Sequence, residues 1–223
     1  MNEKSEMSAQ NITPQDVVFD LGGVVFRWEP LVLLQQLFAQ QVHSETVAKA
    51  WASQIFETFH PQADWALFDL GLIEPGPLAQ RIARRTGLAE ADLRRLMDAI
   101  PSHLQPIQAT VDVMHELKAL GHRLFYLSNM PAAYADHLVQ VNPFFSLFEE
   151  GIFSAHVQQI KPLPEIFATA QACWPLQGPP IFIDDVPRNI DAAHQHGWRG
   201  ILFESPQQLR SELVNQGVLF DKL

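Results

Sequence analysis

The sequence predicts an α/β protein, a doubly wound parallel sheet with an all-helical cap inserted after its first strand. Short apolar runs alternate with helical patterns over most of the 223 residues, the order that produces such a sheet. Three of these runs end in a polar, chemically reactive group, and parallel sheets bind ligands at the carboxyl ends of their strands. The expected architecture is therefore a Rossmann-like core with a helical cap.

The strands are predicted from short apolar runs bounded by Gly, Pro, Ser or Asp. They cover residues 17–19, 124–127, 152–153, 181–183 and 201–203. Helices between them are predicted from apolar residues at intervals of three and four positions. They cover residues 107–120, 131–141, 164–173 and 187–196.

Residues 29–102 interrupt this alternation, because they contain helical patterns and no strand-like run. The predicted helices are 31–41, 44–59, 65–70, 76–86 and 89–100. An insert at this point overhangs the end of the first strand and forms a lid over Asp20, although helices that only pack on the sheet remain an alternative. The expected domains are a disordered tail at 1–12, a core at 13–28 and 103–223, and a cap at 29–102.

Composition excludes several classes of function. The formal net charge of −10 disfavours nucleic-acid binding, which requires clustered Lys and Arg. No apolar stretch approaches the roughly 20 residues that span a bilayer, and the polar start of the chain does not resemble a signal peptide. The single Cys173 is predicted to be a buried thiol in a reducing cytoplasm. A cytoplasmic protein is expected, as a monomer or a homodimer.

Four short motifs follow one another along the chain. They are Asp20-Leu-Gly-Gly-Val, Leu127-Ser128-Asn129, Lys161-Pro162, and Asp184-Asp185 with Asn189. In this order, at strand ends or adjoining loops, they resemble the four motifs of the haloacid dehalogenase superfamily. The start of the first motif and the helical insert are most similar to the branch of bacterial sugar-phosphate phosphatases such as glucose-1-phosphate phosphatase.

The motifs suit attack on a phosphomonoester. A carboxylate nucleophile, Asp20, can attack a phosphate dianion only if the charge on the phosphoryl oxygens is neutralised. Lys161 supplies a positive charge and Ser128 a hydroxyl donor. The resemblance implies that Ser128, Asn129 and Lys161 bind the phosphate.

Two further carboxylates, Asp184 and Asp185, indicate a cation, because they would otherwise repel Asp20. A hard divalent ion with oxygen ligands, Mg²⁺, fits that environment. The resemblance implies that Asp20, the main-chain carbonyl of Gly22 and Asp185 hold the ion, with Asp184 as close support. Structural alternatives exist for these motifs, since such side chains also cap helices or occupy solvated loops.

One position departs from the superfamily pattern. Most phosphatases of the superfamily carry a second Asp, which exchanges protons with the leaving group and with water, where this chain has Gly22. His60 and Asp64 in the cap are candidate substitutes. The aromatic cap residues Trp28, Trp65 and Phe68 either line the substrate pocket or pack the interior of the cap.

The expected function is a Mg²⁺-dependent phosphatase that acts on a small phosphorylated metabolite through an aspartyl-phosphate intermediate. A sugar phosphate is the first expectation, by resemblance, although Leu70 and Leu72 make the cap more apolar than such a ligand requires. The first alternative is a 2-haloacid dehalogenase, which requires no metal, so that the Asp184-Asp185 pair counts against it. The second is a non-catalytic binding or regulatory module, suggested only by Gly22.

Overall fold

The computed structural model describes residues 12–57 and 60–221, and its centre is a five-stranded parallel sheet. The strands are β1 (Asp16–Phe19), β2 (Arg123–Ser128), β3 (Phe148–Phe153), β4 (Ile181–Asp184) and β5 (Arg199–Leu202). Their order in the sheet is β3-β2-β1-β4-β5, and every adjacent pair is parallel. Because β1 lies between β2 and β4, the three strand ends that carry the predicted motifs are neighbours.

Six helices of the described chain lie between β1 and β2, and we call the first five of them the cap. They are α1 (Pro30–Leu37), α2 (Glu45–Phe56), α3 (Asp64–Asp69), α4 (Pro75–Thr86) and α5 (Glu90–His103). Proline in the first turn starts α1 and α4, where a missing N–H costs nothing, and the Ser44 hydroxyl caps α2. Residues 58 and 59 of the predicted second helix and residues 1–11 of the predicted tail lie outside the described residues.

The remaining helices cover both faces of the sheet. They are α6 (Gln108–Ala119), α7 (Ala132–Val141), α8 (Ser154–Val157), α9 (Pro164–Cys173), α10 (Pro187–Gln195) and α11 (Pro206–Asn215), with a 3₁₀ turn at Pro143–Leu147. Successive residues of β1 point to opposite faces. Val17 and Phe19 join an apolar core that continues into the cap, whereas Val18 packs against α9 and α10. The predicted doubly wound α/β fold with a helical insert is confirmed.

The prediction for Cys173 is wrong, because its thiol is exposed. The buried face of α9 is formed by Ile166, Phe167 and Ala170, and Trp174 turns inward just after the helix ends, which leaves Cys173 facing solvent. Within residues 12–57 and 60–221, none of the helices combines the length and apolarity that a membrane crossing requires.

Candidate active site

The carboxyl ends of β1, β2 and β4 meet at one cavity. Phe19 pairs with Tyr126 on one side and Ile183 on the other, and the Asp20 N–H donates to the Ile183 carbonyl at 2.8 Å. The cavity has a volume of about 290 Å³. Its floor is lined by Asp20, Gly22, Ser128, Asn129, Lys161, Asp185 and Asn189. The sequence-predicted site residues therefore converge on one space, except for Asp184, which lies fully buried beneath it.

Lys161 is a fixed positive charge in the floor of this cavity. Its ammonium group lies 2.9 Å from Oδ1 of Asp20 and 2.6 Å from Oδ2 of Asp184, and its side chain is only 1% exposed. Burial alone would lower the pKa of Lys161, but the two carboxylates outweigh burial and raise it. Lys161 therefore stays protonated.

Asn129 holds the Lys161 backbone in place. Its amide nitrogen donates to the Lys161 carbonyl at 3.0 Å, and its amide oxygen accepts from the Lys161 N–H at 2.9 Å. This reciprocal pair joins the loop after β2 to the loop that precedes α9. The Asn129 side chain thus contributes to the site by positioning Lys161.

Asp184 is a support for its neighbours. Its Oδ1 accepts from the Val186 N–H at 2.8 Å, its Oδ2 accepts from Lys161, and the Asn189 amide lies 3.0 Å from both oxygens. A carboxylate engaged on both oxygens has little capacity left for a further ligand. Asp184 therefore fixes Lys161 and Asn189 from below the cavity.

The carboxylate cluster suits a divalent cation. One oxygen each of Asp20, Asp184 and Asp185 lie within 4.8 Å of one another, and because Asp184 is already engaged on both oxygens, Asp20 and Asp185 are the carboxylates left to bind an ion. Burial raises the pKa of Asp20 to about 7. Lys161 opposes this rise, and the charges of Asp184 and Asp185 add to it. Burial and then Asp184 raise the pKa of Asp185 to about 6. Carboxylate oxygens at this spacing are the hard ligands that Mg²⁺ prefers, so the donor set fits that ion.

Gly23 is required for the position of Asp185. Its φ angle is +79°, and a Cβ added there would lie 2.4 Å from Oδ2 of Asp185. Both the backbone conformation and the contact exclude a side chain at this position. The second glycine of the Asp20-Leu-Gly-Gly motif is therefore explained by its positive φ angle and by the close approach of Asp185.

The Ser128 hydroxyl has no hydrogen-bond partner among the described residues, although it is buried and lines the cavity. Buried polar atoms normally find a partner, so an orphaned hydroxyl aimed into a cavity indicates a ligand oxygen. A phosphoryl oxygen between Ser128 and Lys161 would satisfy it.

The cap side of the cavity is aromatic. Edge-to-face contacts run from Trp28 to Phe56 (5.4 Å between ring centroids), to Trp65 (4.6 Å), to Phe68 (5.6 Å) and to Tyr134 of α7 (5.5 Å). All of these except Phe68 line the cavity, and Phe68 is buried in the apolar core. The sequence left open whether these aromatic residues line the pocket or pack the interior of the cap. Trp28 and Trp65 line the cavity, whereas Phe68 packs in the interior.

Asp69 is a cavity-lining residue that the sequence analysis missed. It is the last residue of α3, and burial followed by the charge of Asp20 raises its pKa to about 8. A usable signal was present, because Asp69 is a lone carboxylate between two apolar residues, Phe68 and Leu70. The expected substitutes His60 and Asp64 are absent from the described cavity lining.

Comparison with known proteins agrees with this geometry. A sesquiterpene phosphatase, AstK of Aspergillus oryzae, is 25% identical over 189 residues, which cover 82% of this chain and 87% of that protein. A haloacid dehalogenase family enzyme of Bacteroides thetaiotaomicron, solved with magnesium and inorganic phosphate, superposes with a TM-score of 0.64 at 19% identity, covering 86% of this chain and 95% of its own.

The same fold occurs in the L-2-haloacid dehalogenase of Xanthobacter autotrophicus, with a TM-score of 0.64 at 19% identity and coverage of 91% of this chain and 83% of that one. The family model for haloacid dehalogenase-like hydrolases matches residues 17–203, which contain every motif described above. The chain therefore belongs to the haloacid dehalogenase-like hydrolase family.

Proposed function

We propose that the protein is a Mg²⁺-dependent phosphatase that forms a phosphoaspartate at Asp20. The observation that carries this proposal is the unsatisfied Ser128 hydroxyl beside three clustered carboxylates and one buried lysine. A 2-haloacid substrate would need Asp20 as nucleophile but would leave Asp185 without a use, whereas a phosphate dianion requires a cation among the carboxylates.

The residues of the floor divide the chemistry between them. Asp20 forms the bond to phosphorus, while Lys161 and Ser128 donate hydrogen bonds to the phosphoryl oxygens. Asp185, Asp20 and the Gly22 carbonyl would hold the ion. Bound Mg²⁺ would offset the charge of the phosphoryl oxygens and keep the carboxylates ionised. Asp184 contributes indirectly, because it fixes Lys161 at 2.6 Å.

The walls of the cavity favour a phosphomonoester of a small apolar alcohol over a sugar phosphate. Apart from the aromatic residues, they include Ile100, Leu104 and Met130. The Tyr134 hydroxyl already donates to the Met97 carbonyl at 3.0 Å. A sugar would present several hydroxyls to walls with few polar partners, and each unpaired buried polar group lowers affinity.

The similarity to a sesquiterpene phosphatase agrees with an apolar substrate. The cavity of about 290 Å³ sets a limit on size, because ligand pockets typically span about 300–1,000 Å³. We therefore expect an alcohol portion of modest length.

The test is phosphate release from n-alkyl phosphates of increasing length and from glucose 1-phosphate, with Mg²⁺ and with EDTA. Each buried CH₂ contributes about 0.8 kcal/mol, so kcat/KM should rise about fourfold per CH₂ until the cavity is full. Asp20→Asn, which keeps the side-chain shape, should abolish release from every substrate.

Three results would contradict parts of this proposal. A preference for glucose 1-phosphate over every alkyl phosphate would restore the sugar-phosphate expectation. Metal-independent halide release from 2-chloropropionate would favour the dehalogenase. Release that is unaffected by EDTA would remove the role of Mg²⁺.

A further inference from the structure

The proposed reaction needs a proton donor that the first motif does not supply. An alkoxide is a poor leaving group, so the departing oxygen must take up a proton as its bond to phosphorus breaks. Gly22 offers no side chain, and a Cβ built at Gly22 would meet no heavy atom within 4 Å. The space for a donor is therefore present beside Asp20, but the donor must come from elsewhere.

The two cap residues considered first do not fill that role. Asp64 is paired with Arg81 at 2.8 Å and with Arg85 at 3.2 Å, and the His60 ring accepts from the Gln62 N–H. Neither Asp64 nor His60 belongs to the described lining of the cavity. The Asp64 carboxylate is engaged by both arginines and is not available to a substrate.

Asp69 is placed to act on the substrate. It lines the same cavity as Asp20, Gly22 and Lys161, and its side chain is half-buried, so the carboxyl group can meet a ligand there. The lining also includes Glu57, but the Glu57 carboxylate is engaged by Arg85 at 3.1 Å. Asp69 is thus the cap carboxyl group that the described contacts leave available to a substrate.

A hydrogen-bonded bridge through Ser154 fixes the backbone of Asp69 relative to the loop that follows β2. The Ser154 hydroxyl donates to the main-chain carbonyl of Asp69 and accepts from the Met130 N–H at 2.9 Å. The following turn is close-packed as well, because a Cβ on Gly71 would lie 3.1 Å from the Ala155 carbonyl oxygen. The end of α3 is therefore docked on the core. Its link through Ser154 reaches Met130, which follows Ser128 by two residues in the loop after β2.

The surroundings of Asp69 favour its protonated form near neutral pH. Burial is the main cause of its raised pKa, about 8, and the Asp20 charge adds to it, whereas Lys161 opposes it. Because burial is the largest cause, the shift does not depend chiefly on the charge of Asp20. The charged or titratable groups that share this cavity with Asp69 are Asp20, Glu57, Tyr134, Lys161, Asp185 and Arg188.

We propose that Asp69 is the general acid and base of the phosphatase reaction, supplied by the cap in place of the side chain that Gly22 lacks. This assignment rests on the proposed function.

In the first step Asp20 forms a bond to phosphorus, the bond from phosphorus to the ester oxygen breaks, and the Asp69 proton moves to that oxygen, which releases the alcohol. In the second step Asp69, now a carboxylate, takes a proton from water as the water oxygen bonds to phosphorus. The bond between phosphorus and Asp20 breaks and returns its electron pair to the Asp20 carboxylate. Inorganic phosphate leaves, and Asp69 carries its proton again.

The test compares two leaving groups in Asp69→Asn, a substitution that keeps shape and leaves the main-chain bridge to Ser154 in place. Hexyl phosphate requires protonation of its alkoxide, whereas p-nitrophenyl phosphate releases a stable phenolate. We expect kcat/KM for hexyl phosphate to fall by about 10²- to 10⁴-fold, with a much smaller loss for p-nitrophenyl phosphate. We also expect kcat/KM of wild type on hexyl phosphate to decline at alkaline pH, and this decline should be lost in the variant.

A rescue separates catalysis from folding. Gly22→Asp in the Asp69→Asn background places a carboxyl group in the open space beside Asp20 and should restore turnover of hexyl phosphate, whereas Gly22→Asn should not. Equal losses on both substrates with an unchanged pH profile would overturn the role of Asp69. Wild type that is inactive on both substrates would instead overturn the phosphatase assignment, and the role of Asp69 with it.

Discussion

Lys161→Met tests the charge balance of the site floor. Methionine keeps the length and the apolar stem of lysine but removes the ammonium group that lies 2.9 Å from Asp20 and 2.6 Å from Asp184. The two carboxylates would then face each other in a buried site without compensation. Breaking a buried ion pair by removing one partner typically costs about 3–5 kcal/mol of unfolding free energy.

The sign of the pH dependence follows from the raised pKa of the carboxyl groups. In wild type the pKa of Asp20 rises from 3.8 to about 7, and Lys161 is one of the groups that hold it down. A carboxyl group with a raised folded-state pKa leaves stability intact below its unfolded pKa and lowers it as pH rises. Because the variant lacks the positive charge that lowers the pKa of Asp20, its Asp20 should stay protonated over pH 6–8, whereas wild-type Asp20 loses its proton around pH 7.

The extra proton sets the magnitude. One proton changes the unfolding free energy by about 1.4 kcal/mol per pH unit. Averaged over pH 6–8 the variant should hold about half a proton more than wild type, so the cost of Lys161→Met should be about 3–5 kcal/mol at pH 8 and smaller by about 1.4 kcal/mol at pH 6.

Urea unfolding in EDTA measures this difference, since no added cation can then compensate the carboxylates. Lys118→Met is a matched control, because Lys118 makes a 2.7 Å ion pair with Glu149 at the surface. Exposed pairs contribute about 0–1 kcal/mol, so the control should lose little stability at either pH. A cost of Lys161→Met that is the same at pH 6 and pH 8 would refute the electrostatic explanation.

Three other substitutions probe the metal and phosphate ends of the site. Gly23→Ala should displace Asp185 and raise the Mg²⁺ concentration for half-maximal activity by about 10- to 100-fold. Gly197 has a similar φ of +76°, but a Cβ there would meet no atom within 4 Å, so the control Gly197→Ala should leave the Mg²⁺ requirement unchanged. Ser128→Ala should lower kcat by about 10²-fold with an unchanged urea midpoint, because its hydroxyl has no protein partner to lose; a lowered midpoint would indicate a structural role. Asn189→Ala should lower both kcat and the midpoint, since its amide donates to a buried carboxylate, and a loss of kcat alone would contradict that support.

The floor of the site was predictable because short sequence patterns determine it. Asp20 follows β1, Ser128 and Asp184 are the last residues of β2 and β4, and parallel pairing brings strand ends to one edge whatever the loops contain. Lys161 was harder to place, since it follows no strand. Its position depends on the reciprocal hydrogen bonds with Asn129, which join segments 32 residues apart.

The walls were not predictable to the same degree. Helical periodicity in the cap shows which residues are apolar, but it does not show which apolar face meets the core and which meets the cavity. Phe68 and Trp65 lie three residues apart on α3, yet one is buried in the core and the other lines the cavity. Asp69 was missed for the same reason, because the docking of α3 on α8 decides where its carboxyl group points.

The placement of Asp69 changes how the cap relates to the chemistry. A donor at position 22 would sit on the core loop, whereas Asp69 belongs to α3, the helix that also carries Trp65 of the aromatic wall. The Ser154 bridge holds the end of this helix against the loop after β2. If Asp69 acts as proposed, proton donation and exclusion of water depend on the same contact between cap and core. Efficient phosphoryl transfer then requires that the apolar wall covers the substrate. An apolar alcohol portion would therefore raise both the affinity for the substrate and the rate of its turnover.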